Sequence, residues 1–189
     1  MHRLVRYRLA SLFVAAVVLP LSALAQHNHG QPAISSPAAS PYAGLDSRPV
    51  KALSPEQLAD LRAGRGMGLA LPAELNGYPG PTHVLELAGL LGLTPEQRLR
   101  TEALVAAMKA EAIPLGERLI ADETTLDRLF ADKQATAGTL DTASARIGVT
   151  QAALRAAHLR YHLDMVAVLT PEQVERYAAL RGYSGTRRP

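Results

Sequence analysis

His158 and His162 stand four residues apart, and Met165 follows three further on. On a helix this spacing puts both imidazoles on one face, with the thioether a turn beyond. Two imidazole nitrogens and a sulfur suit a borderline or soft transition metal such as Ni, Co, Cu or Zn. The set needs a further ligand from another helix. His83 and Glu86, three apart, are the first candidates; Glu111 is another, since folding the chain back brings it roughly opposite His162. The same residues have a plainer reading. A histidine in an apolar seam is commonly a hydrogen-bonded core residue, and a methionine there is packing. Leu159 stands where a His-Glu-x-x-His protease needs its general base, so metal-assisted hydrolysis is not expected.

A second donor group lies near the N-terminus. Arg3, Arg6 and Arg8 precede a mostly apolar run over residues 9–24, and Ala23-Leu24-Ala25 has the small-x-small form of a cleavage site. Residues 1–25 are therefore expected to be a cleaved signal peptide, and the mature chain to be exported to the periplasm. It would begin Gln26-His27-Asn28-His29. A free amine beside His27 and His29 would chelate Cu(II) or Ni(II), which favour nitrogen ligands; the plainer reading is a polar tail.

The elements that must position the inner donors announce themselves by a repeated phrase. Leu93-Thr94-Pro95-Glu96-Gln97 recurs as Leu169-Thr170-Pro171-Glu172-Gln173. Thr94 and Thr170 read as N-caps, their hydroxyls accepting from backbone N–H groups that lack helical partners. Pro95 and Pro171 then take the first helical position, where a missing N–H costs nothing. Glu96 and Glu172 offset the positive end of the helix dipole, and Gln97 and Gln173 complete capping boxes. Ser54-Pro55-Glu56-Gln57 is a third box.

From Thr94 a long helix is expected to about Lys133, extending about 60 Å, with a kink at Pro114. Leu99, Val105, Met108, Ala112, Leu115, Leu119, Leu126 and Phe130 supply its apolar positions. Residues 134–139, with Gly138, read as the break where the chain reverses. A return helix is expected over residues 140–168, with Ile147, Leu154, Tyr161 and Val168 repeating every seven residues and His158 and Met165 between them. Such a seam suits antiparallel packing. Thr82 is expected to cap a short helix ending at Gly92, and a last helix to run from Pro171 to about Arg181. The fold class is thus all-α: a long antiparallel helical hairpin with short flanking helices and a disordered N-terminal tail. The divisions are a leader over 1–25, a disordered linker over 26–52, a short helix and Gly/Pro-rich connector over 53–81, the hairpin over 82–182, and a flexible tail over 183–189. In the connector, Leu69, Leu71 and Leu75 are expected to pack on the hairpin.

Composition removes several function classes. The chain has no Cys, which excludes disulfides, thiolate catalysis and Cys-based zinc sites. Losing the leader's three arginines from 20 basic residues leaves a balance with the 17 acidic ones. The high isoelectric point is then an effect of the leader, and nucleic-acid binding is not expected. Gly64, Gly66 and Gly68 are not followed by Gly-Lys-Ser/Thr, so no phosphate loop is expected. No nucleophile elbow and no paired carboxylates appear, so the chain is expected not to be an enzyme.

A Leu-Thr-x-x-Gln motif given twice around a helical hairpin, behind a signal peptide, resembles the Spy/CpxP family of periplasmic stress proteins. That group includes the ZraP- and CnrX-type heavy-metal-responsive proteins, and the resemblance covers roughly residues 82–182. It rests on Leu93, Thr94, Gln97, Leu169, Thr170 and Gln173. It implies metal sensing or resistance, or ATP-independent chaperoning of unfolded clients, or regulation of a membrane stress sensor. CnrX-like relatives carry His-x-x-x-His early and His-x-x-x-Met late. This chain has His83-x-x-Glu86 and His158-x-x-x-His162-x-x-Met165, so no ligand transfers directly. Two long helices with few aromatics enclose little core, and the remaining apolar face is expected to serve a homodimer or a client surface.

Overall fold

A computed structural model of the protein describes residues 40–183. The expected leader, His27, His29 and the last six residues lie outside these. Among the described residues every regular element is helical. Two long helices, α5 (Pro95–Ala131) and α6 (Ala137–Val166), form the hairpin. Four shorter ones precede it: α1 (Pro55–Arg62), α2 (Leu71–Glu74), α3 (Pro81–Glu86) and α4 (Ala88–Leu91). The helix α7 (Pro171–Leu180) follows it.

All three capping boxes form as read. Ser54, Thr94 and Thr170 each accept from the backbone N–H of the glutamine three residues on, and each glutamine accepts in return from the cap's own N–H. The repeated phrase also has a tertiary role. Gln97 donates to Oε1 of Gln173 at 2.8 Å, and Gln173 donates to Oε1 of Gln97 at 3.0 Å. The starts of α5 and α7 are thereby held side by side. Gln97 also donates to the Val168 carbonyl at 3.0 Å, tying both starts to the end of the return helix.

Several boundaries differ from expectation. The return helix begins earlier, at Ala137, because Thr136 and Thr139 make a capping box in which a threonine hydroxyl replaces the usual glutamine. Gly138 therefore sits in its first turn. The single helix expected after Thr82 is two, broken at Leu87, and its N-cap is Gly80 with Pro81 at the first position. Gly92 ends α4 in the left-handed region at φ 66°, as a C-terminal glycine should. The helix α5 runs through Pro114 without interruption. The linker expected over 26–52 ends earlier, since Val50 is buried in the core and a 3-10 turn spans Leu45–Ser47.

Antiparallel register is set by two cross-links. Arg160 donates to both oxygens of Glu111, at 2.7 and 2.9 Å, and Thr150 donates to the buried Asp122 at 2.7 Å. Apolar packing falls into two clusters. One joins Val50, Leu53, Leu58 and Leu61 to Ala112, Leu119, Ile120, Ile147 and Leu154. The other joins Val84 and Leu91 to Met165, Val168, Leu169 and Tyr177. Leu99 and Phe130, the first and last of the apolar positions read along α5, are exposed, as are Leu71 and Leu75 of the connector, expected to pack on the hairpin. Leu69 packs against the first cluster.

Gly116 admits α1 to the hairpin. A Cβ at that position would stand 2.4 Å from the Leu61 carbonyl oxygen, so backbone meets backbone there. From α1 the connector runs over residues 63–80 along the side of α6. Arg155 donates to the Leu69 carbonyl at 3.2 Å, and His162 bonds the Tyr78 carbonyl.

Candidate metal centre

The connector covers both histidines of α6. His158 is 3 % exposed and His162 8 %. Each ring lies against a glycine: a Cβ on Gly66 would be 3.5 Å from His158 Nδ1, and one on Gly80 would be 2.9 Å from His162 Cε1. Helix spacing put the two rings on one face, and the glycines let the connector close over them.

Their hydrogen bonding differs. His162 Nδ1 is 2.7 Å from the Tyr78 carbonyl oxygen. A carbonyl only accepts, so Nδ1 carries a proton, and the tautomer this selects for the neutral ring is the one with its lone pair on Nε2. Fixing the tautomer through the other nitrogen is what protein groups around ligating histidines do. His158 Nε2 is buried with no hydrogen-bond partner. Such orphaned groups are uncommon and call for an explanation. Desolvation, and then the neighbouring His162, push the His158 pKa below the usual imidazole range. The ring therefore stays neutral at pH 7 and keeps a lone pair for a cation.

Beside them lies Glu74, buried in α2. Its Oε1 accepts from the Tyr177 hydroxyl and, at 3.2 Å, from the Tyr183 hydroxyl. Its Oε2 accepts from the Gly80 N–H at 3.1 Å and lies 3.6 Å from His162 Nδ1. Burial, and then the carboxylate itself, push the Tyr177 hydroxyl far above the usual phenol range, so it remains a donor. Glu74 thus clasps the connector to α7.

The cleft at this place has a volume of about 550 Å³. His158, His162, His83 and Glu86 all line it. His83 and Glu86 pair with each other at 2.9 Å on its half-exposed rim. Met165 does not reach the cleft and packs in the second apolar cluster. Glu111 is held by Arg160 and by the Tyr161 hydroxyl at 3.2 Å. Two methionines not counted among the candidate donors, Met67 and Met108, line the cleft instead, as does Glu74. No helical spacing links these three to the histidines. Only the connector's path brings Met67 and Glu74 there, and Met108 carried no signal beyond its place in the α5 stripe. Among the described residues no three of His, Cys, Asp and Glu converge as a cation site. The donors present fit a metal only as imidazoles supplemented by sulfur, with the unpartnered His158 nitrogen as the atom that asks for one.

No curated protein and no solved structure matches the chain. A family model described as heavy-metal resistance matches residues 67–176, a span that includes His83, Glu86, His158 and His162. The chain belongs to this heavy-metal resistance family, the one that contains the ZraP-, CnrX- and Spy-like proteins.

Proposed function

We propose that the chain is a non-catalytic, exported protein that captures heavy-metal ions in the cleft beside His158 and His162, and so senses or buffers them in the periplasm. The observation that carries this reading is the pair of buried imidazoles in one cleft, one with its tautomer fixed by the Tyr78 carbonyl and one with an unpartnered nitrogen. Membership of a heavy-metal resistance family supports it. The bound ion supplies positive charge and open coordination positions. The protein's own part is to keep the His158 ring neutral, to fix the His162 tautomer through the Tyr78 carbonyl, to hold both rings under the connector, and to link that connector through Glu74 to Tyr177 on α7. A change at the histidines would pass along that link to a homodimer partner or a membrane stress sensor.

The test is thermal unfolding of the purified mature protein with Ni, Co, Cu and Zn ions in turn. An ion at a hundred times its dissociation constant adds about 2.7 kcal/mol to stability, a shift of several degrees. His158→Ala with His162→Ala should remove it. A chain whose melting point responds to none of the ions would refute the proposal.

A second reading is a chaperone that holds unfolded clients without ATP. It draws on a groove of about 310 Å³ between the hairpin helices, lined by Leu115, Ala145, Val149 and Ala153 with Arg118, Arg146 and Thr150 beside them. Suppression of a client's aggregation at near-equimolar ratio without metal supports it; no protection over a tenfold range of ratios counts against it.

A further inference from the structure

The donors left free in the cleft narrow the class of ion. Its carboxylates are occupied. Glu74 accepts from two tyrosine hydroxyls and the Gly80 N–H, Glu86 is paired with His83, and Asp60 is paired with Arg65 at 2.5 Å. Besides the rim imidazole of His83, whose Nδ1 is taken by Glu86, what remains is imidazole nitrogen from His158 and His162, and thioether sulfur from Met67 and Met108. These come from three places in the fold: the connector, α5 and α6. Hard and borderline divalent ions prefer oxygen and nitrogen, whereas thioethers select soft ions such as Cu(I).

Met67 carries a second sign. Its backbone is left-handed at φ 44°, between Gly66 and Gly68. A side chain in that region costs about 1–2 kcal/mol, which glycine avoids. The sequence offers glycine on either side and still places a long, 39 % exposed thioether at the strained position. Local strain of this kind gathers at functional sites. The adjacent Gly66 lies directly on the His158 ring, whose Nε2 has no partner. Met108 is buried where α5 lines the same cleft.

We propose that the cleft is a site for a soft monovalent cation, copper(I) or silver(I), bound by the thioethers of Met67 and Met108 together with the imidazoles of His158 and His162. This rests on the reading that the cleft holds a metal, and adds which ions and which sulfurs. It involves binding alone, without electron transfer.

The probe is Ag(I), which needs no reductant, titrated into the full mature protein. Binding is followed by calorimetry and by the methyl resonances of the methionines. One equivalent should move the Met67 and Met108 methyls and leave that of Met165 in place. M67L with M108L, a volume-conserving change that Met sites generally tolerate, should weaken Ag(I) at least tenfold. Circular dichroism verifies that the variant is folded, and M165L should leave Ag(I) affinity unchanged. Zn(II) affinity should be the same in wild type and M67L/M108L. Ag(I) binding that is lost in H158A/H162A but indifferent to M67L/M108L, with unmoved methyls, overturns the assignment of sulfur and leaves the metal-binding proposal intact. Ag(I) binding that disappears on replacing His27 and His29 also overturns it, placing the ion at the N-terminus. Failure of every ion to bind overturns both.

Discussion

Gly80 is where the candidate site is most sensitive to a single atom. A methyl there would stand 2.9 Å from His162 Cε1 and 3.2 Å from Glu74 Oε2, so the ring must leave the Tyr78 carbonyl or the connector must lift. We expect Gly80→Ala to destabilise the protein by about 1–3 kcal/mol, the usual range for overpacking, and to weaken metal binding along with it. Denaturant unfolding beside a metal titration measures both; unchanged affinity in a folded variant would show that the ring's seat is irrelevant to the site. Glu74 is the other pivot. Glu74→Ala leaves the buried Tyr177 hydroxyl without its acceptor, at a cost of about 1–3 kcal/mol, whereas Glu74→Gln keeps an acceptor and should cost less in the same unfolding assay. The sequence shows the histidine pair because four-residue spacing on a helix is local. It does not show Glu74, whose partner Tyr177 is 103 residues away and whose one-turn helix has no periodicity. Met165 misleads for a geometric reason. It shares the stripe of His158 but lies about 10 Å further along the axis, where Val84, Leu169 and Tyr177 cover α6 in place of the connector.

Among elements, the repeated phrase explains more than two helix starts. Each glutamine caps its own helix and binds its counterpart, so the motif is a joint between α5 and α7 as well as a pair of caps. Removing either side chain loses a cap and leaves the other amide short of a partner. Gln97→Ala and Gln173→Ala should therefore be non-additive, with a coupling of about 1 kcal/mol in a double-mutant cycle on unfolding free energy. Additive losses would mean that the two amides act separately. Thr94→Ala, which touches only the cap, should cost about 1 kcal/mol. The caps were legible because a hydroxyl, a proline and a glutamine at fixed offsets have one common use. The pairing of the glutamines was not, since nothing in either copy says that the two helix starts meet. The start of α6 was misplaced for the converse reason. Thr139 does glutamine's part at Thr136, and Gly138 drew attention as a breaker although a first turn tolerates it.

Across the molecule, the hairpin serves as a rail on which two apolar clusters sit, with the connector passing over α6 and lining the cleft that shares its histidines. The heptad-like seam foretold the rail, but not its division into clusters, which depends on where α1, α3 and α7 dock. Gly116 opposite the Leu61 carbonyl is one such docking decision, written as a single missing methyl. This layout makes the effect of a metal local. An ion held by His162 and His158 of α6 together with Met67 of the connector would join the two, and Glu74 extends that hold to Tyr177 and Tyr183. Nothing in the contact chain runs to the turn of the hairpin, where Thr136 caps α6 and Thr150 bonds Asp122. Hydrogen exchange with and without saturating metal should thus show added protection over residues 63–80 and over α7, and little change over residues 122–150. Segments of a fold open sub-globally with free energies of their own, and an ion that bound only the closed connector would slow exchange there first. Protection that rises evenly through both long helices would mean instead that the ion stabilises the whole fold as one unit, and the connector would lose its place as the element that responds.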